Sequence, residues 1–98
     1  MSQHYFNAVH RGDPITVLLG WDPLDHFFMI VERREPAPGQ DDYLFISTGA
    51  PTLDDLRVTL KVLCIPVPRV MFEQVEHDRR NGLGSRVVVY AADGSFPH

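Results

Sequence analysis

Apolar and polar residues alternate along the first half of the chain in short runs separated by turn residues. Along the second half, apolar residues recur at helical spacing. His4 to His10 places Tyr5, Asn7 and Val9 on one side of an extended segment and His4, Phe6, Ala8 and His10 on the other, as a half-buried strand requires. Arg11-Gly12-Asp13-Pro14 is turn chemistry, and Ile15 to Leu19 is β-branched and apolar enough to be the returning strand. Gly20 to Asp25 then predicts a break and a loop. After it, Phe27 to Val31 is so apolar that it predicts a central strand covered on both faces. The charged, proline-bearing stretch 34–42 predicts a flexible surface loop, and Tyr43 to Ile46 a fourth strand.

Thr52 can cap a helix whose first turn carries Asp54 and Asp55, where the helix dipole favours negative charge. Leu53, Leu56, Leu60, Leu63 and Cys64 fall on one stripe of that helix, which Pro66 ends. A second helix is expected over 68–80, with Met71, Phe72 and Val75 on its inner face and Glu73, Glu76, His77 and Arg80 turned away. Asn81-Gly82 supplies its stop. Arg86 to Tyr90 is a last strand, and Asp93-Gly94 a last turn. The order β-β-β-β-α-α-β predicts one α+β domain over 1–98. Its expected architecture is an antiparallel sheet of four to five strands with both helices on one face.

Net charge narrows the partners. Nine Lys and Arg against thirteen Asp and Glu give −4, and residues 1–50 hold seven acids and three bases. That balance disfavours a phosphate backbone and suits a basic protein surface. One cysteine and an amino terminus without a basic start or apolar run set the expectation of a cytoplasmic protein. No apolar run approaches the length of a membrane span.

Few residues are spaced for chemistry. Cys64 on the apolar stripe predicts a buried core thiol rather than a nucleophile. A metal-binding or enzymatic alternative would use His4 or His10 with His26. His4 and His10 lie six apart on one strand, roughly 20 Å, so only one of them can join His26. Glu73 and His77 have ligand spacing but lack the second histidine of a zinc-protease helix. Gly82-Leu83-Gly84-Ser85 follows a helix and precedes a strand, the reverse of a phosphate loop. No cofactor and no metal is therefore expected, and an enzyme is disfavoured.

The most distinctive segment is Gly20-Trp21-Asp22-Pro23-Leu24-Asp25-His26-Phe27-Phe28. An aromatic flanked by charge is a common interface anchor, so the expected binding residues are Trp21, Asp22, Asp25 and His26, joined by Asp41 and Asp42 of the second acidic loop. Trp21 acting as a lid on the core is the competing reading. The sheet face opposite the helices, if apolar, would also need a partner, and a second copy of the chain is a candidate.

Tyr5-Phe6, Arg11-Gly12, the block from Gly20 to Glu32, and Met71-Phe72-Glu73 through Asp78-Arg79 resemble a group of small uncharacterised proteins carried on plasmids and integrated elements of proteobacteria. The resemblance covers nearly the whole chain. It implies a mobile-element setting and supplies no catalytic residue. The expectation is a non-enzymatic binding module acting on a larger protein or ribonucleoprotein complex, an inhibitor of host defence of the anti-CRISPR kind. A nucleic-acid regulator using Arg79, Arg80 and Arg86 is the remaining alternative.

Overall fold

In the computed structural model, which describes residues 1–82 and 84–96, the chain forms one sheet and two helices. The strands are β1 (Ser2–His10), β2 (Asp13–Asp22), β3 (His26–Arg33), β4 (Tyr43–Ala50) and β5 (Arg86–Tyr90), and the helices are α1 (Leu53–Val62) and α2 (Arg69–Asn81). The sheet order is β4-β3-β2-β1-β5. Neighbours among β1 to β4 pair antiparallel, as short turns require. β5 reaches the far edge only after the chain has crossed the sheet through both helices, and so pairs parallel with β1. The α+β class and element order are those expected, with the sheet mixed rather than wholly antiparallel.

Three local expectations are corrected. First, β2 runs on through Gly20, Trp21 and Asp22, so Trp21 is a strand residue paired with Phe27, and the turn is only Pro23-Leu24-Asp25. Asp22 makes that turn by accepting hydrogen bonds from the Leu24 and Asp25 amides at its Oδ1. Second, the central strand is β2, not β3. Third, Cys64 is exposed. α1 closes at Val62, and the Cys64 amide bonds the Lys61 carbonyl while the Ile65 amide bonds the Leu60 carbonyl. These two bonds form a Schellman stop, which puts Cys64 in the left-handed conformation (φ 58°) that glycine usually fills and swings its side chain off the apolar stripe. Gly82 ends α2 in the same conformation without that steric cost. Thr52 precedes α1 as expected, but its hydroxyl bonds the Asp55 carboxylate rather than a helix amide.

The core lies between the sheet and the helices. Phe6, Ile15, Val17, Leu19, Phe27, Met29, Val31, Val88 and Tyr90 face Leu56, Leu60, Met71, Phe72 and Val75. Trp21 shares the parity of Ile15, Val17 and Leu19 and packs half-buried against this cluster. Gly20 allows the Phe28 ring to lie down on the opposite face, because a Cβ there would strike that ring and the Ser2 carbonyl oxygen.

Candidate functional site

The two faces of the sheet differ in chemistry, and the covered one holds the strongest catalytic-looking constellation. His4 and Asp78 are fully buried there, and Tyr90 is nearly so. His4 Nε2 lies 2.6 Å from Asp78 Oδ2, and His4 Nδ1 lies 2.8 Å from the Tyr90 hydroxyl. Arg86 donates to the other Asp78 oxygen at 2.6 Å and to the Gln74 side-chain oxygen at 3.1 Å. An ionised carboxylate only accepts, so Nε2 donates to Asp78. The Tyr90 hydroxyl can donate to Nδ1 of a neutral imidazole or accept from a protonated one, and burial favours the neutral form. Asp78 with Arg86 forms the charged pair.

Burial pushes the His4 imidazole below its ordinary range, against the raising effect of its bond to Asp78. Burial pushes Asp78 up, yet the bonds from His4 and Arg86 hold its carboxyl below the ordinary value. Burial raises the Tyr90 phenol. Among the described residues no buried side-chain nitrogen or oxygen lacks a hydrogen-bond partner. With every polar atom satisfied inside the core, a Tyr-His-Asp relay here has no route to a substrate, and the network pins α2 and β5 to β1.

The uncovered face is the reverse. The strand register aligns Ile46 with Ile30, Ile30 with Leu18, Leu18 with Tyr5 and Tyr5 with Val89, one unbroken row of apolar side chains across all five strands. Beside it run Phe28, Gly20, Gln3 and Val87. Val89 is 58% exposed, Val87 64% and Ile46 53%, while Tyr5, Leu18 and Ile30 are half-buried by their neighbours. The polar pair Asn7 and Thr16, hydrogen-bonded at 2.7 Å, and Glu32 border the row on one side. The face therefore carries an exposed apolar strip with a polar border.

The residues expected to bind fall into two groups. Trp21, Asp22, Asp25 and His26 sit at or next to the β2–β3 turn, with Trp21 directed into the core. Asp41 and Asp42 lie beyond the other end of β3, where their carbonyls accept from Arg33: its side chain bonds Asp41 and its amide bonds Asp42. The eight residues of β3 separate the groups by roughly 25 Å. They thus lie on either side of the apolar row, displaced along the strand direction, instead of forming one patch.

The metal alternative finds no support in the geometry. Both His4 nitrogens are occupied, His10 stands at the far end of β1, and His26 is exposed at the turn. Among the described residues no cluster of three or more metal-ligating side chains occurs. Nor do the three arginines form a free basic patch. Arg79 and Arg80 both pair with Glu76, whose carboxyl Arg79 holds below its ordinary range, and Arg86 is committed to Asp78. A concavity of about 780 Å³ is an open groove between α1 and α2. Its Asp54, Glu73 and Glu76 balance its Arg57, Arg79 and Arg80, with Arg79 and Arg80 both on Glu76, and Arg57 stacks 4.8 Å from the Phe72 ring centroid. Leu83, in the expected chain reversal, lies outside the described residues. No helix among the described residues is long and apolar enough to cross a membrane.

Sequence reasoning missed Asp78 and the apolar row. Asp78 lies three residues beyond Val75 and seven beyond Met71, hence on the inner face of α2, and that spacing was the available signal. The row needs the register of all five strands and carries no signal within any one of them. No family model matches the chain, and neither a curated protein nor a solved structure matches it.

Proposed function

We propose that this chain is a non-enzymatic protein-binding module whose contact surface is the uncovered face of the sheet. The observation that carries this reading is the unbroken row Ile46-Ile30-Leu18-Tyr5-Val89, which crosses every strand and is left to solvent. Burying such a row against a partner is worth about 25 cal/mol per Å² of apolar surface, and folding of the single chain leaves that gain unused. The sealed Tyr90-His4-Asp78 network supports the non-enzymatic half of the reading, since its polar atoms are spent on one another. Occupation of a host defence complex is the finer form of the proposal. It is supported by the resemblance to mobile-element proteins, and by acids that would rim the apolar row: Asp22 and Asp25 on one side, Asp41 and Asp42 on the other.

The test is affinity purification from the native cell with the wild-type chain, an Ile46→Glu/Val89→Glu double variant, and an Asp22→Lys/Asp25→Lys variant of the turn. Both substituted valine and isoleucine positions are exposed in the single chain, so the fold is expected to survive. Proteins recovered with the wild type, the chain's own untagged copy included, should fall at least tenfold with the double variant. Equal recovery, or loss only with the turn variant, would reject this placement of the contact.

A further inference from the structure

Resting on that reading, we infer that the partner of the uncovered face is a second copy of this chain, the two sheets packing face to face as a twofold dimer. Size is the first argument. Five strands about 4.8 Å apart, over the roughly six residues of about 3.3 Å each that the row, the line beside it and the Asn7–Thr16–Glu32 border occupy together, present on the order of 500 Å² per copy and 1,000 Å² in the pair, which reaches the threshold of a specific interface. Charge is the second. The row and the line beside it hold no ionisable group but the Tyr5 phenol and the border adds only the Glu32 carboxylate, so they offer little for a basic partner to recognise, and no like charges meet along the row itself when it is doubled.

Shape is the third argument. A twofold interface must be complementary to itself, and a strip of aliphatic side chains spanning the whole sheet can interdigitate with its copy at the spacing of stacked sheets. Phe28 lies flat over Gly20 and does not project into that space. The acids Asp22, Asp25, Asp41 and Asp42 then lie at the rim, where water screens them.

Sedimentation equilibrium of the purified chain across the micromolar range decides the matter. The wild type should show a monomer–dimer equilibrium that added salt leaves unchanged or strengthens. Val89→Glu on β5 and Ile46→Glu on β4, at opposite ends of the row, should each raise the dissociation constant at least about 30-fold, because twofold symmetry buries every introduced charge twice. A dimer sensitive only to Ile46→Glu would be joined through the β4 edge, and one sensitive to neither through another surface. Either result overturns the inference. So does a wild type that stays monomeric. In that case, face-dependent recovery of other proteins from the cell would leave the binding-module reading standing, and its absence would remove both.

Discussion

The two faces of one sheet have exchanged the residues that each would ordinarily hold. The covered face buries a histidine, an aspartate and a tyrosine and engages an arginine, while the bare face shows water a row of isoleucine, leucine, tyrosine and valine. Each inversion has its own physical basis. A polar group inside costs little when every donor and acceptor is matched, as those of His4, Asp78 and Tyr90 are. An exposed apolar group contributes less to the fold, because less of its surface is removed from water. Removing a residue should therefore be severe on the first face and nearly silent on the second.

The largest effect is expected at Asp78→Ala. The substitution strips Arg86 of its carboxylate and leaves His4 Nε2–H without an acceptor in the core. Breaking a buried charged pair from one side costs about 3–5 kcal/mol, a large share of what a domain of this size holds. Urea unfolding would register it directly. A loss below 1 kcal/mol would mean that water reaches the network and that the covered face is not sealed.

How much of this contrast was legible in the sequence depends on the range of the interaction. Alternation from His4 to His10 already put His4 on the side of Phe6, and the stripe of α2 already contained position 78. Their meeting was not legible, because it depends on where α2 docks across β1, 74 residues away in the chain. Read locally, Asp22-Pro23 is strand-ending chemistry and makes Gly20 to Asp25 a loop that contains Trp21. The parity of Ile15, Val17 and Leu19 carries straight through to it, and ladder pairing with Ser2 and Phe27 outweighed the local turn signal. Cys64 departs from the helical stripe for the opposite reason. Helical spacing in the sequence runs on to position 64, but the helix ends at Val62 and Cys64 itself takes the left-handed conformation that closes it.

A second, smaller effect is expected from acid. Below pH 6.5 the unfolded chain takes up a proton at His4 that the folded chain refuses, because burial disfavours the charged imidazole. A lowered folded-state pKa makes stability fall as pH falls, by up to about 1.4 kcal/mol per pH unit until the folded imidazole also titrates. Asp78, likewise lowered, extends the loss below its ordinary 3.8. Urea midpoints at pH 7, 6 and 5 measure the slope. His4→Gln retains a donor toward Asp78 and an acceptor for Tyr90 but cannot titrate, so its slope over this range should shrink by that amount. An unchanged slope would show that the folded His4 takes up its proton over the same pH range as in the unfolded chain.

The smallest effect, and the closest contrast, lies within β5. Val87 is 64% exposed on the bare face and Val88 is 6% exposed on the covered one. Valine and threonine have nearly the same shape and similar strand propensity, so valine-to-threonine substitution changes little except a methyl for a hydroxyl. At Val87 the hydroxyl meets water and monomer stability should move by less than about 0.5 kcal/mol. At Val88 it enters the core without an assigned partner and should cost about 1–3 kcal/mol. Thermal or urea unfolding of the two variants, below the concentration at which the chain associates, gives both numbers. Equal costs would place Val87 against something within the single chain, and the bare face would then have no side chains to spare for a partner.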